Sequence, residues 1–451
     1  MNVLDRRILR LAIPSILAAL STPLIGIADT AMIGHLPEVA FMGAVSTANL
    51  IFNAIFWCLA FLRMGTTALV AQYFGANDRS ACAGILYRSL WLALMLGAVI
   101  VASSPWISWV GFTLAGGSAE VQHWGGQYFA IRVWEAPLVL SILTLNGFFL
   151  GTANALAPLW VTMVANLVNI GADYALIFGK WGAPEMGVRG AAWASVLGNA
   201  AALAMGVLIL VYRYRPYLRE WPKKIWDLRP MRRLLQTNAF LFGRTLCLQL
   251  AGFFMLGMVS RMGEAQLAAN AVVLQVWGLA SFGIDGFAHA AETLVGNCLG
   301  GRLFAEARQM ARRIIVWGGG VGVGFAVVYF VALGNIAALF TQHREVVEQV
   351  ATLYLWVALI QPLNAVVFVF DGILIGANDM AYMFKAMALA AFAVFVPAAL
   401  VFVYWLDWGL VGAWMAYNGL MLGRFFTLWP RYRSDVWLRS IVAKKEWGDD
   451  L

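Results

Sequence analysis

Long apolar stretches recur along the whole chain, and short polar or glycine-containing segments separate them. A helix needs about 20 residues to cross the hydrocarbon core of a bilayer, and each stretch is long enough. Turn residues such as Gly75–Asp78 and Gly376–Asp379 mark the breaks. The pattern predicts twelve transmembrane helices, over residues 8–34, 42–74, 83–109, 121–151, 155–178, 188–212, 232–262, 266–298, 305–333, 346–376, 380–405 and 409–430.

Composition shows which solvent surrounds these helices. Of the 451 residues, 62% are hydrophobic and only 12% are charged, whereas a soluble domain carries roughly 25% charged residues. We therefore predict an all-α membrane protein in contact with lipid, not an enzyme. The four cysteines lack the paired spacing of a metal site, so no metal and no cofactor are expected. They are Cys58, Cys82, Cys247 and Cys298.

The distribution of the 31 Lys and Arg residues predicts the orientation in the membrane. With the N-terminus inside, 23 lie in or beside the loops on that face, and four lie within spans. The other four are in the opposite loops: Lys180, Arg189, Arg261 and Arg344. This bias places both termini in the cytoplasm of a bacterial cell, in its inner membrane. The net charge of +8 therefore reports orientation and predicts no nucleic-acid partner. The first apolar stretch is too long for a signal peptide, and we interpret it as an uncleaved transmembrane span.

An internal repeat relates the two halves at an offset of 225 residues. The segment GFFLGTAN (147–154) matches GILIGAND (372–379), and Pro137 matches Pro362. Six spans per half is an even number, so the halves have the same orientation and form parallel, pseudo-symmetric bundles. We predict an N-lobe over 1–212, a basic linker over 213–231, a C-lobe over 232–430 and a tail over 431–451. Such bundles favour a central cavity and a transporter that works by alternating access.

Six carboxylates fall inside the predicted spans, where each costs roughly 2.5–3.5 kcal/mol near the bilayer centre unless it is paired, hydrated or protonated. They are Asp29, Glu135, Asp173, Asp285, Glu292 and Asp371. Four arginines also lie within spans, and we expect them to pair with these acids, although the sequence does not assign the pairs. They are Arg63, Arg132, Arg244 and Arg424.

Asp29 follows two prolines and a glycine in the first span: Pro14, Pro23 and Gly26. Residues of this kind allow a helix to bend. A carboxylate in a helix that bends suits a protonation switch, because burial favours its neutral form and hydration its charged form. The alternative is a permanent ion pair with an arginine inside the membrane.

Asp173 lies on one face of the fifth span with Asn166 and Asn169, at positions i+7, i and i+3. Amide and carboxylate oxygens together suit a proton relay or a small hard cation. Asn146 on the fourth span is expected to join them, and its repeat partner is Asp371. The alternative is hydrogen bonding between helices.

Asp285, His289 and Glu292 are spaced i, i+4 and i+7 on the eighth span. With Asp371 they form either a second polar track in the C-lobe or structural pairs. Nothing near them completes a metal ligand set, so the sequence leaves these two readings open.

Three segments resemble the multidrug and toxic compound extrusion (MATE) transporters, in their DinF branch. They are PLIGIADTAMIGHL (23–36), LRMGTTALVAQYFGA (62–76) and VFDGILIGAND (369–379). The resemblance implies two six-helix lobes in a V and export of toxic compounds driven by inward ion flow. It also implies that Asp29 is the essential acid of the first helix and Pro14 its bending proline. By the same resemblance Asn169, Asp173 and Asn146 belong to one polar network, and Ser195 stands where the family often has threonine.

The resemblance also bears on the coupling ion. The seventh-helix acid of the sodium-driven branch is absent, since residues 238–262 contain no Asp or Glu. We therefore expect a monomeric antiporter that exports amphipathic, cationic small molecules in exchange for H+ at Asp29. Three alternatives stay open: coupling to Na+ in the N-lobe, a lipid-linked oligosaccharide flippase of the same superfamily, and a membrane scaffold that transports nothing.

Overall fold

A computed structural model describes residues 3–36, 38–220 and 228–438. Over these residues the chain is helical, without a β-strand, and forms twelve long spans. We number them α1 Val3–Ile33, α2 Val39–Leu59 with Phe61–Gly75, α3 Arg79–Ala102, α4 Ala119–Arg132 with Ala136–Gly151, α5 Leu156–Phe178, α6 Val188–Arg213, α7 Leu228–Val259, α8 Glu264–Gly300, α9 Phe304–Phe340, α10 Arg344–Thr352 with Tyr354–Leu359 and Gln361–Gly376, α11 Met380–Trp405 and α12 Gly409–Arg433.

Every predicted span overlaps one of these helices. Ten of the described helices are long and apolar enough to cross a membrane, and α1 and α12 are the two spans outside that set. The spans α4 and α10 are interrupted at equivalent positions of the repeat, although the sequence pattern predicted two continuous helices. Pro137 and Pro362 stand at the first turn after the breaks in α4 and α10. Proline lacks an N–H and restricts the preceding residue, so a helix restarts there more easily than it continues.

The chain divides into two compact units. We call Leu17–Val70 with Asp78–Leu234 the N-terminal unit, and Met1–Ile16, Ala71–Asn77 and Leu235–Leu451 the C-terminal unit. Of the predicted linker and tail, residues 221–227 and 439–451 lie outside the described residues. The described linker includes a short helix, Arg215–Arg219. The exact domain boundaries stay a prediction.

In the C-terminal unit, the end of α2 crosses the end of α8 with almost no space between the backbones. A side chain at Gly75 would clash with the backbone of Asn297, and one at Gly300 with the backbone of Gln72. These two contacts are related by the 225-residue offset, so the crossing is itself symmetric. The amide of Gln72 also donates to the carbonyl of Gly376 at 2.8 Å, which ties α2 to α10.

The same turn ends α2, α4, α8 and α10. In each, one residue adopts the left-handed conformation that commonly closes a helix. These are Asn77, Ala153, Arg302 and Asn378, with φ between 56° and 60°. The repeat seen in the sequence is therefore also a repeat of backbone geometry.

Replacing Gly300 by alanine should lower the melting temperature of the purified protein, because the new methyl group displaces backbone at the α2–α8 crossing. We expect a loss of about 1–3 kcal/mol, as for other overpacked sites. Gly324→Ala is the matched control, since no atom lies within 4 Å of a side chain there. It should be neutral or slightly stabilising, and equal melting temperatures for the two variants would contradict the tight crossing.

Candidate functional site

Two aspartates from different helices meet inside the N-terminal unit. Asp29 of α1 is 3% exposed and Asp173 of α5 is fully buried, and their carboxyl groups lie within hydrogen-bonding reach of each other. Asp29 Oδ1 and both oxygens of Asp173 receive no donor from any other described residue. Two carboxylates have no hydrogen between them to donate. The contact therefore needs a proton on one of the two groups.

Asparagines on α5 help to place this pair. The amide of Asn166 donates to the carbonyl of Ser21 at 2.9 Å, which ties α5 to α1 two turns before Asp29. Asn169, one turn before Asp173, is 2% exposed. Neither its amide nitrogen nor its oxygen has a partner among the described residues. Buried polar atoms are normally hydrogen-bonded, so Asn169 has unused capacity beside the two acids.

An ion pair lies next to the aspartates, where α4 is broken. The Arg132 guanidinium donates to Glu135 Oε1 and to the Tyr128 hydroxyl, both at 2.9 Å, and to Asn49 Oδ1. It also lies 5.0 Å from the centre of the Phe52 ring, a distance at which a cation is attracted to an aromatic face. Glu135 is 1% exposed and the Arg132 side chain 18%, so the carboxylate is shielded from solvent and the guanidinium partly so.

Residues of α6 extend the hydrogen bonds around the ion pair. The Asn199 amide donates to Glu135 Oε2 and to the Ser195 carbonyl, both at 3.1 Å. The Ser195 side chain is within hydrogen-bonding reach of the Tyr128 hydroxyl. The charge of Arg132 also acts directly on Asp29. The site therefore combines three buried carboxyl groups, one guanidinium and several neutral donors, which suits uptake and release of a proton.

The structure also gives the positions of the other residues predicted to act in the N-lobe. Asn146 is half-buried on α4, and its side-chain oxygen has no partner among the described residues. Pro14 is buried in α1, and Gly26 has open space beside it. Pro23 lies in the same helix, but its side chain is outside the described residues. The helix runs from Val3 to Ile33 through all three bending positions, and their role stays a prediction.

In the C-terminal unit Asp371 accepts bonds from two arginines, Arg244 of α7 and Arg424 of α12, both at Oδ2. The predicted track on α8 is made of Asp285, His289 and Glu292, and each of them interacts with a neighbouring group. Three of the four arginines that the sequence left unassigned thus pair with an acid: Arg132 with Glu135, and Arg244 and Arg424 with Asp371.

The structure adds residues that the sequence reading missed: Asn49, Tyr128 and Asn199. Two of them carried a signal, because Tyr128 lies four residues before Arg132 and Asn199 four after Ser195, which puts each pair on one helical face. Asn49 lies on another helix, and nothing in its local sequence indicates a partner on α4.

The MatE family model matches residues 14–175 and again residues 241–401, one match in each half of the chain. DNA damage-inducible protein F of Escherichia coli (strain K12) is 33% identical over 97% of this chain and 94% of that protein. The probable multidrug resistance protein NorM of Thermotoga maritima is 25% identical over 98% of this chain and 95% of that protein.

A crystal structure of MATE in the bent conformation superposes with a TM-score of 0.86 at 20% identity and covers 96% of each chain. At this identity the likeness shows the fold. The prediction of an all-α membrane protein of twelve helices in two lobes is confirmed.

Replacing Glu135 by glutamine should destabilise the protein, because it leaves Arg132, whose side chain is 18% exposed, without a carboxylate. Breaking a fully buried pair costs about 3–5 kcal/mol, and the partial exposure of Arg132 should keep the loss at or below the lower end of this range. The control is Glu348→Gln, which removes a pair with Arg344 whose side chains are 92% and 64% exposed and should cost less than about 1 kcal/mol. Thermal unfolding in detergent compares them. Arg132→Gln combined with Glu135→Gln should lose less than the two single changes added together.

Proposed function

The chain belongs to the MATE family, and from this we propose that it is a secondary efflux transporter that exports small amphipathic molecules in exchange for protons. The observation that supports proton coupling is the buried Asp29–Asp173 contact, which needs a proton to form. The names of the relatives, among them a probable multidrug resistance protein, support export of toxic compounds. In this proposal the protein uses no bound cofactor and does not convert its substrate chemically.

Proton release is the step that couples the ion gradient to movement of the helices. Two negative charges about 4 Å apart repel each other by about 4 kcal/mol at the effective dielectric constant of 20 that is typical of proteins. If the shared proton leaves, α1 and α5 lose an attractive contact and gain this repulsion. Because Asp29 belongs to α1, its helix must move, bend or admit water. Pro14 and Gly26 are the positions at which we propose that it bends.

The nearby Arg132 limits the repulsion. Its charge acts on Asp29, and the hydrogen bond to Glu135 holds the guanidinium in place. A membrane potential of about 100 mV supplies roughly 2.3 kcal/mol per charge. For a neutral substrate one proton then supports about a fortyfold concentration ratio, since about 1.4 kcal/mol corresponds to tenfold. Exchange of one proton for a monovalent cation moves no net charge, so the pH gradient alone drives it.

Sodium coupling is the second candidate, and a specific observation supports it. Buried oxygens of Asn166, Asn169 and Asp173 lack donors among the described residues, and hard cations take oxygen ligands of these kinds. The substrate preference for cations rests on the same acids and on the resemblance. An oligosaccharide flippase is less favoured, because its phosphate would meet three carboxyl groups and one arginine in this cluster.

Asp29→Asn should abolish uphill export by the protein reconstituted in liposomes, because the amide cannot gain or lose a proton. We would measure flux of a fluorescent lipophilic cation with a pH gradient or a sodium gradient imposed. Glu348→Gln, which removes an exposed carboxylate, should export like wild type. Wild-type flux in Asp29→Asn would refute the switch. Flux driven by sodium alone would instead assign the site to Na+.

Both termini should lie in the cytoplasm if the positive-inside bias governs insertion. The test is a fluorescent reporter that matures only in the cytoplasm, fused after residue 451, and a phosphatase that works only outside, fused after Trp181 between α5 and α6. We expect both reporters to be active. Activity of a phosphatase fused after Leu451 would reverse the proposed topology.

A further inference from the structure

One face of α6 forms an apolar groove on the surface of the N-terminal unit. The groove has a volume of about 630 Å³, and Leu138 of α4 is one of its lining residues. The other lining residues are spaced by three and four positions along the chain, as on a single face of a helix. They are Ala200, Leu203, Ala204, Val207, Leu208, Val211, Tyr212 and Arg215.

The apolar part of the groove has the length of one bilayer leaflet. The helix α6 runs from Val188 to Arg213 and is long and apolar enough to cross a membrane. Ala200 lies near its middle, and the helix rises about 16 Å from there to Val211. Half of the hydrocarbon core of a bilayer, which is ~30 Å thick, has a similar length. Since Leu208 is 50% exposed, this face is open to lipid and fits a single acyl chain.

The end of the groove nearest the linker is basic. Tyr212, which is 75% exposed, and Arg215 line it there, and tyrosine is typical of the level of the lipid headgroups. Arg213 and Arg219 are exposed close by in the chain. Over the described part of the linker, none of the three arginines pairs with an acid. Even with Glu220 counted, this end is positive and favours a negatively charged headgroup.

The opposite end of the groove lies beside the elements that hold the Arg132–Glu135 pair. Leu138 comes three residues after Glu135 on α4. Ala200 follows Asn199, whose amide donates to Glu135 Oε2 at 3.1 Å. An acyl chain in the groove would therefore contact α4 and α6 together, next to this buried pair.

We propose that the groove is a binding site for one anionic glycerophospholipid, such as phosphatidylglycerol. Its acyl chain lies along Ala204, and its phosphate accepts hydrogen bonds from the Arg215 guanidinium, a donor well suited to phosphate. The inference goes beyond the proposed function, because the lipid is a ligand of the N-terminal unit and is not transported.

The headgroup is tested by native mass spectrometry of the full chain in detergent, titrated with phosphatidylglycerol or phosphatidylethanolamine of the same acyl chains. We expect the first phosphatidylglycerol to bind at least tenfold more tightly than phosphatidylethanolamine. Arg215→Gln should reduce this preference about fivefold, the ratio expected for one arginine near an anionic headgroup. Arg10→Gln is the matched control, since Arg10 is an exposed arginine of α1 that does not line the groove, and it should keep the preference.

The acyl chain is tested by filling the groove. Ala204→Trp should weaken the first binding of both lipids several-fold, because the indole occupies the space of the chain. Val327→Trp on α9, at a residue that is 58% exposed, is the control and should bind like wild type. Phosphatidylglycerol should also raise the melting temperature of wild type more than that of either groove variant, since a ligand stabilises the state that binds it.

The proposal is overturned if phosphatidylglycerol binds no better than phosphatidylethanolamine, if Arg10→Gln lowers the preference as much as Arg215→Gln, or if Ala204→Trp binds like wild type. Competition by glycerol 3-phosphate would indicate a soluble phosphate, and a dimer lost in Ala204→Trp would indicate a second copy of the chain. Either result would also overturn it. Should Ala204→Trp fail to fold, Ala204→Leu fills part of the same space. Since no gradient is applied, a failure of proton coupling at Asp29 leaves these results unaffected.

Discussion

Water is scarce around a carboxylate inside a membrane protein, and this scarcity determines how the described polar sites are built. A buried charge needs an opposite charge, a proton or a set of donors. Asp29 and Asp173 have each other and too few donors, so a proton holds them together. Asp371 instead accepts hydrogen bonds from two arginines, Arg244 and Arg424. The first site thus depends on a proton, whereas Asp371 is balanced by fixed positive charge.

The two halves thus keep one scaffold and have diverged in charge. The left-handed turns, the proline breaks before Pro137 and Pro362, and the reciprocal contacts at Gly75 and Gly300 all follow the 225-residue offset. These features are backbone geometry, which both halves require to pack. The acids do not follow it: Asn146 stands opposite Asp371, and Asp29 has no acidic counterpart near Phe254. The charged sites therefore depart from the repeat that the backbone follows.

The sequence predicted the helices well because membrane spans depend on a local property, the length of an apolar run. The polar face of α5 could also be predicted, since Asn166, Asn169 and Asp173 lie on one helix at fixed spacing. The pairing of arginines was not. Arg244 and Asp371 are 127 residues apart, and no local pattern connects them. Contacts between distant helices are set by packing, which a single sequence does not specify.

The same limit applies to the charged groups. The predicted spans contain six acids and four arginines, and a count of this kind does not say which of these charges meet. Electrostatic energy depends on distance, however, and the effective dielectric inside a protein is far below that of water. Glu135 lies against Arg132, and Asp371 lies against both Arg244 and Arg424, whereas Asp29 and Asp173 face each other. The charge balance at each site therefore follows from contacts between helices and not from the sum over the chain.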